Sequence, residues 1–231
     1  MDDSRRDGPI ITLDGPAGSG KSSTAKALAR RLAFRHLDSG ALYRALTLGL
    51  FRSGLIESDW EDLSEQEFAN LDIDLQTTET GFQVLIGGEA ADSELRTARV
   101  TNNVSFVSSL AACRQSILEL QRKAGKDGRL VADGRDMGTV IFPDAELKIY
   151  LIADLEERAI RRLREVGEGS PDDLRIAQQA RALDTRDQSD SQRAISPLKK
   201  AEDAIELDTT GLGFDEQVQA IVDLAHQLTL F

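Results

Sequence analysis

The chain has 231 residues, of which 40% are hydrophobic and 29% charged, and its formal net charge is −12 at pH 7. This composition is typical of a globular protein with one α/β core and at most a modest insertion. No apolar run approaches the roughly 18 residues of a membrane span, and the acidic balance argues against binding to nucleic acid. The single cysteine, Cys113, excludes an internal disulfide and fits a reducing compartment. We therefore expect a cytoplasmic protein with no membrane or nucleic-acid partner.

The first eight residues, MDDSRRDG, are charged and lack the apolar stretch of a signal peptide. This pattern predicts a disordered tail over residues 1–8.

A glycine-rich loop between a strand and a helix is the most informative stretch of the chain. Residues 10–14 open with an apolar run, residues 15–22 match the pattern G-x-x-x-x-G-K-[ST], and a helical pattern covers residues 22–32. Glycines let successive N–H groups surround an anion, Lys21 adds a mobile positive charge, and the Ser22 hydroxyl suits Mg²⁺. A chance glycine-rich turn is the alternative, but the flanking strand and helix favour a nucleoside-triphosphate site. The residues predicted to form it are Gly15, Pro16, Ala17, Gly18, Ser19, Gly20, Lys21, Ser22 and Ser23.

The next elements offer a second place for an anion. A short strand ending near Leu37 precedes Asp38-Ser39-Gly40, which is typical of a helix start, and the helix is predicted over residues 41–51. Ser39 lies at its N-terminus, and Tyr43 and Arg44 follow one turn later. The helix end and Arg44 could hold a second anion together; a plain N-cap beside a surface arginine is the alternative.

The hydrophobic period changes in the middle of the chain. Residues 57–70 are acidic and predict a short amphipathic helix with Trp60 and Phe68 as packing residues. Alternating apolar residues over 71–75 and 82–86, around a turn at 79–81, predict a β-hairpin. A small antiparallel insertion in an α/β chain predicts a substrate-side unit at about residues 62–100. A helical stretch follows over residues 97–126, broken near Ser108.

A second buried strand is predicted at residues 129–132 and ends in the turn Asp133-Gly134-Arg135-Asp136-Met137-Gly138. The carboxyl edge of parallel strands is where α/β proteins bind ligands. Asp133 or Asp136 could therefore approach Mg²⁺ or a substrate amine, and Arg135 a phosphate. The alternative is a glycine-rich turn with solvated charges.

Two arginine-rich helices follow the next strand, at residues 147–152. One begins after Asp154 and carries arginines at 158, 161, 162 and 164; the other covers about 172–187, beyond a break at Gly167, Gly169 and Pro171. They predict a mobile lid over phosphates, although a solvated face offset by glutamates is the alternative. A last strand at 204–207 and a helix at 214–230 close the chain.

Several of these stretches together resemble the bacterial-type cytidylate kinases of the nucleoside monophosphate kinase group. They are GPAGSGKSS (15–23), LDSGALYR (37–44), ADGRDMGTVIFPDA (132–145), TRDQSDSQRAISPL (185–198) and the hairpin near 71–91. The resemblance covers nearly the whole chain from Ile10 onward. It implies an α/β fold with a three-layer P-loop core and a parallel sheet, a small antiparallel insertion on the monophosphate side and a helical lid. The core would comprise residues 9–61 and 101–231, the insertion 62–100 and the lid about 155–193.

The resemblance implies that the following residues of this chain correspond to the family's site positions. Ser39 and Arg44 match positions that hold the CMP phosphate, Tyr43 is expected among the substrate-binding residues, and Asp190 matches a position that contacts the sugar. Ser105, Arg114 and Asp136 match positions at the cytosine edge, with Ser108 and Ser109 as alternatives to Ser105. Arg135 and Arg193 match phosphate contacts. Arg158, Arg162 and Arg186 match lid arginines that meet ATP or the transferring phosphoryl group, and the implied catalytic set is Lys21, Arg135, Arg186 and Arg193.

The implied reaction is transfer of phosphate from ATP, with Mg²⁺ on Ser22, to CMP or dCMP, giving CDP or dCDP in pyrimidine nucleotide metabolism. The implied enzyme is a monomer. Two other hypotheses remain open: a phosphoryl-transfer enzyme with another acceptor, and a nucleotide-switch ATPase that drives binding to a partner.

Overall fold

The computed structural model describes residues 6–165, 167 and 169–228, and within them strands alternate with helices along the chain. The strands are β1 (Ile10–Asp14), β2 (Arg35–Asp38), β3 (Ile73–Thr78), β4 (Gly81–Ile86), β5 (Glu89–Ala90), β6 (Leu130–Asp133), β7 (Leu147–Ile152) and β8 (Ile205–Asp208). The helices are α1 (Lys21–Leu32), α2 (Ser39–Ser53), α3 (Glu65–Ala69), α4 (Ala98–Val107), α5 (Ala111–Ala124), α6 (Leu155–Glu165), α7 (Asp173–Gln192) and α8 (Phe214–Gln227). A 3₁₀ turn at Glu57–Asp62 and a π-type turn at Met137–Ile141 complete the regular structure of this part of the chain.

The sheet has the order β3-β4-β2-β6-β1-β7-β8, with β5 paired to β4. The five strands β2, β6, β1, β7 and β8 are parallel. All five residues of β1 are buried, because helices cover both faces of the sheet. The predicted α/β fold with a parallel sheet is confirmed. Its carboxyl edge brings the loop after β1 next to the turn after β6.

Two apolar cores, one on each face of the sheet, produce the three layers. On one face, Ile11 and Leu13 of β1 pack with Leu28 of α1 and Ile221 of α8. On the other, Ile10 packs in a larger core with residues of α2 and α5, such as Leu46 and Ile117. Alternate residues of β1 therefore serve opposite cores, as the two-residue period of a strand requires.

The predicted β-hairpin is present and extends the main sheet. β3 and β4 are antiparallel, with Ile73 opposite Ile86, and β4 joins β2 through the single pair His36–Gly81. A Cβ at Gly81 would lie 2.4 Å from the His36 carbonyl oxygen, so this close approach requires glycine. The predicted amphipathic helix before the hairpin is a 3₁₀ turn followed by α3, with Trp60 and Phe68 buried as expected.

The predicted lid corresponds to α6 and α7, which pack against each other and against the phosphate loop through Ala17, Ala159 and Leu183. α7 continues to Gln192, beyond the predicted end near residue 187, and the extra turn carries the buried Asp190. The predicted end of the last helix at 230, and residues 1–5 of the predicted tail, lie outside the described residues. Arg6, within that tail, contacts Glu146 at 3.1 Å. No helix in the described part of the chain has the length and apolar character to cross a bilayer.

Candidate active site

The phosphate loop joins β1 to α1 by a turn that glycine makes possible. Gly15 has φ +145°, and a Cβ there would lie 2.1 Å from the carbonyl oxygen of Leu151 on β7. This allows the loop to pass directly over the sheet edge before α1 begins at Lys21. The loop and the positive end of α1 line the same space, which is the arrangement that binds phosphate.

Lys21 lies inside this loop as a buried cation. Its side chain donates to the Pro16 carbonyl at 2.6 Å and contacts the Ser19 hydroxyl at 3.3 Å. Burial and the positive charge of Arg135 hold the pKa of Lys21 well below its usual value. Negative charge brought beside Lys21 would reverse that shift, so the loop favours an anionic ligand.

Asp14 at the end of β1 connects the phosphate loop to the turn after β6. Its two carboxylate oxygens accept hydrogen bonds from the backbone N–H groups of Met137 at 2.9 Å and Gly138 at 2.8 Å. Burial raises the pKa of Asp14 from 3.8 to about 6, although these two hydrogen bonds act in the opposite direction. Asp14 was not predicted as a site residue, and its position directly before the loop is the signal that could have identified it.

The Ser22 hydroxyl and the Asp133 carboxylate meet beside the phosphate loop. Ser22 Oγ donates to Asp133 Oδ2 at 2.5 Å, and Asp133 Oδ1 lies 2.7 Å from Nε2 of His36. Mg²⁺ prefers oxygen ligands and is commonly held by one or two protein groups together with substrate phosphates. Among the residues that the structure describes, no cluster of three or more His, Cys, Asp or Glu side chains could hold a metal unaided. The Ser22–Asp133 pair therefore fits Mg²⁺ carried in with a nucleotide.

A cleft of about 560 Å³ opens over the phosphate loop, between the turn after β6 and the lid helices. Basic side chains outnumber acidic ones by eight to four among the residues that line it, in a chain whose net charge is −12. The basic residues are Lys21, Arg44, Arg96, Arg135, Arg161, Arg162, Arg164 and Arg186. Such local concentration of positive charge attracts phosphate groups.

The start of α2 combines an N-cap, a buried serine and the half-buried Arg44. Asp38, rather than Ser39, caps the helix by accepting from the Ala41 N–H at 3.0 Å. The buried Ser39 hydroxyl instead accepts a hydrogen bond from Nε2 of Gln121 on α5 at 2.8 Å. Arg44 lines the cleft, whereas Ser39 is buried and is not among the lining residues.

The predicted insertion contacts the side chain of Arg44. Arg44 Nη1 donates to the Leu95 carbonyl at 3.1 Å and to the Thr101 hydroxyl at 2.9 Å. Burial lowers the pKa of Arg44 to about 10, and the nearby charge of Arg96 acts in the same direction. The guanidinium is thus oriented by the segment between β5 and the middle of α4.

Three predicted substrate residues form a buried cluster behind the turn after β6. Arg114 and Asp136 are ion-paired with side-chain exposures of 7% and 2%. The Arg114 guanidinium also lies 5.0 Å from the centre of the Tyr43 ring. The Tyr43 hydroxyl is buried without a hydrogen-bond partner among the described residues. A guanidinium and a carboxylate side by side can donate to and accept from the edge of a nucleobase.

Ser105 is placed differently from the other predicted base contacts. It is half-buried on α4, and its carbonyl accepts from the Ser108 hydroxyl at 3.0 Å. The carbonyl of Ser108 accepts from Arg114 Nη1 at 3.0 Å, so Ser108 contacts the base cluster through its backbone. The structure thus links the predicted alternative, Ser108, directly to Arg114.

The remaining predicted phosphate and sugar contacts form a network, of which Arg135 and Arg186 line the cleft. Arg135 Nε donates to Asp190 Oδ2 at 2.9 Å, and Arg193 Nη1 lies 3.8 Å from Asp190 Oδ1. Nε of Arg186 and Nη2 of Arg193 are buried without partners in the described part of the chain. Burial lowers the pKa of Arg186 to about 10, with a further contribution from Arg135. These unpaired donors are suited to the oxygens of an anionic ligand.

The two predicted ATP-contacting lid arginines occupy different places. Arg162 lines the cleft and pairs with Glu165 at 2.5 Å. Arg158 lies behind the phosphate loop, where it donates to the Ala17 carbonyl at 2.9 Å and pairs with Asp187. Asp187 also accepts from the Ala17 N–H at 2.7 Å. Asp187 was not predicted, because nothing in its local sequence distinguishes it from neighbouring acidic residues of α7.

Comparisons with known proteins agree with this arrangement. The family profile described as "Cytidylate kinase" matches residues 11–227. A cytidylate kinase of Exiguobacterium sibiricum is 48% identical over 216 residues, which cover 93% of this chain and 96% of that protein. Cytidylate kinases of Chlorobaculum tepidum and Chloroherpeton thalassium are 44% and 43% identical, covering 95% and 94% of this chain and 93% and 92% of theirs. The chain belongs to the cytidylate kinase family.

Proposed function

We propose that this protein is a cytidylate kinase that transfers the γ-phosphoryl group of ATP to CMP, and also to dCMP, in the presence of Mg²⁺. The observation that carries the proposal is the buried Arg114–Asp136 pair, whose Asp136 directly follows Arg135 of the basic phosphate-loop cleft in a chain of this family. In this proposal the phosphate loop binds ATP, and the Arg114–Asp136 pair binds the nucleobase of the acceptor.

The two substrates approach from opposite sides of the cleft. The loop from Gly15 to Ser22 and the positive end of α1 hold the ATP phosphates. We expect Ser39, Arg44 and Arg135 to hold the phosphate of CMP; Arg44 and Arg135 line the cleft, and Ser39 begins α2 beside it. Its base then extends toward Arg114 and Asp136, and its sugar toward Asp190.

Charge neutralisation and alignment supply most of the catalysis. Phosphoryl transfer passes through a loose transition state whose negative charge lies on the equatorial oxygens, so the protein chiefly positions the reactants and neutralises charge. Lys21, Arg186 and Arg193 supply fixed positive charge where water is largely excluded, and such interactions contribute several kcal/mol each. Mg²⁺, when bound with the nucleotide, adds charge neutralisation at the phosphates. No dedicated general base is required.

The lid protects the transferring group from water. α6 and α7 carry Arg162 and Arg186 to the cleft and contact the phosphate loop through Asp187 and Arg158. Closure over both substrates would favour transfer to CMP over hydrolysis.

An acceptor screen tests the proposal. ADP release is measured with ATP, Mg²⁺ and CMP, dCMP, UMP, AMP or GMP in turn. We expect strong stimulation by CMP and dCMP and little by AMP or GMP. Stimulation by another nucleotide alone would indicate a different acceptor, and ADP release that no nucleotide stimulates would indicate a switch ATPase.

A further inference from the structure

A three-residue network connects β2 to the phosphate loop through one carboxylate. His36 Nε2 lies 2.7 Å from Asp133 Oδ1, and Ser22 Oγ lies 2.5 Å from Asp133 Oδ2. The His36 and Asp133 side chains are 14% and 3% exposed. Each oxygen of the carboxylate therefore has a partner on a different element, β2 on one side and α1 on the other.

The direction of these hydrogen bonds follows from the chemistry of the groups. An ionised carboxylate only accepts hydrogen bonds, so Ser22 donates its proton to Oδ2 and His36 donates Nε2–H to Oδ1. A hydroxyl that has used its proton in this way keeps its lone pairs for another partner. Asp133 thus orients Ser22 as an oxygen ligand, and His36 limits the rotation of Asp133.

The position of His36 on β2 explains why it can do this. Asp38 pairs with Asp133 in the parallel register of β2 and β6, and His36 lies two residues earlier on the same face of the strand. The ring therefore reaches the carboxylate diagonally. The backbone of His36 is fixed as well, because Gly81 of the hairpin packs directly against it.

We propose that His36 is a positioning residue, which holds Asp133 and through it Ser22 in the orientation that receives Mg²⁺ with the nucleotide. This inference rests on the proposed function, since it assumes a metal–nucleotide at Ser22. Groups that orient metal ligands in this way commonly change metal affinity by tenfold or more when they are removed.

Metal binding measured directly tests the inference. Mn²⁺ binding in the presence of ADP is followed by electron paramagnetic resonance for the unmodified chain, His36→Phe and His36→Gln. We expect His36→Phe to weaken Mn²⁺ binding about tenfold. His36→Gln, whose amide can still donate to Asp133, should restore most of the affinity, and the KM for CMP should change less than twofold in both variants. Unchanged Mn²⁺ affinity in His36→Phe, or equal losses in the two variants, would overturn the inference.

Ser22→Ala, measured in parallel, separates this inference from the proposed function. If Ser22→Ala weakens Mn²⁺ binding and His36→Phe does not, Ser22 holds the metal and the role of His36 is refuted. If neither variant changes Mn²⁺ binding, the metal site on Ser22 fails and the inference fails with it.

A measurement on the unmodified chain keeps the test independent of folding. Nitrogen-15 NMR of the imidazole, with signals assigned by comparison with His226→Gln, reports which ring nitrogen of His36 carries a proton. The inference requires a protonated Nε2, and an unprotonated Nε2 would overturn it.

Discussion

Lys21 is the side chain whose removal should affect the reaction most directly. Replacing it by alanine removes a buried positive charge from the phosphate loop, so we expect kcat to fall about a hundredfold to a thousandfold. Because burial and Arg135 already lower its pKa, its loss should leave the thermal midpoint unchanged or raised. Lys26→Ala, at an exposed position of the same helix, is the matched control. Near-normal turnover in Lys21→Ala would contradict the role of the loop.

Replacement of Asp136 should weaken the binding of CMP more than the binding of ATP. Asp136→Asn keeps the shape of the side chain but leaves Arg114 buried without its counter-ion, and broken buried pairs cost about 3–5 kcal/mol of stability. We expect the KM for CMP to rise far more than the KM for ATP, measured in steady-state assays at saturating co-substrate. An equal rise in both constants would instead place Asp136 near the metal.

Asp14 should make stability depend on pH in a defined window. Its folded-state pKa of about 6 lies above the ordinary value of 3.8, so the folded state binds the proton more tightly. The stability that this proton confers is fully present below about pH 4 and is lost as the pH rises through 6, a change of about 3 kcal/mol. Urea unfolding of the unmodified chain and of Asp14→Asn between pH 4 and 7 should show their difference in stability shrinking or reversing by this amount. A constant difference would mean that the carboxylate has an ordinary pKa.

Residues within a contiguous sequence motif could be predicted as site residues. Residues that contact the motif from distant parts of the chain could not. The pattern from Gly15 to Ser22 specifies its own geometry, because loop, strand and helix are contiguous. Asp187 contacts this loop from α7, and His36 is linked to it through Asp133; both contacts depend on strand order and helix packing. Gln121, which holds Ser39, is likewise a long-range partner and carries no local signal.

At the scale of elements, a mutation can test the tether between the predicted lid and the phosphate loop, by which we mean the contacts of Asp187 with Arg158 and Ala17. Asp187→Asn removes the charge that holds Arg158 and weakens the acceptor for the Ala17 N–H. We expect the KM for ATP to rise about threefold to tenfold, in line with the loss of one charged hydrogen bond, and the KM for CMP to change little. Asp184→Asn removes an exposed acidic residue one turn earlier on α7 and should have no effect. A larger effect on CMP than on ATP would contradict the assignment of this tether to the ATP side.

Element types followed from periodicity, whereas some boundaries did not. The two-residue period over 71–75 and 82–86 predicted the hairpin, and the register of β3 and β4 confirms it. α7 runs past its predicted end because the buried Asp190, held by Arg135, stabilises the last turn. The local sequence of neither α7 nor the turn after β6 indicates this hydrogen bond between them, so the end of α7 could not be predicted from the sequence.

At the scale of the whole molecule, charge and topology act together. The chain is acidic overall, yet the carboxyl edge of its parallel strands gathers basic side chains around one cleft. The order of these strands was not predictable, because β1, β6 and β7 all read as short apolar runs that do not indicate their neighbours. The position of β1 between β6 and β7 is what brings the phosphate loop beside Asp133 and Arg135.

The most direct test of the account follows the phosphate itself. ATP labelled in its γ-phosphoryl group is incubated with the protein, Mg²⁺ and CMP, and the products are separated and identified by mass. We predict that the label appears in the β-phosphate of CDP, with one CDP formed for each ADP. Label released as inorganic phosphate while CMP stays unchanged would contradict the account.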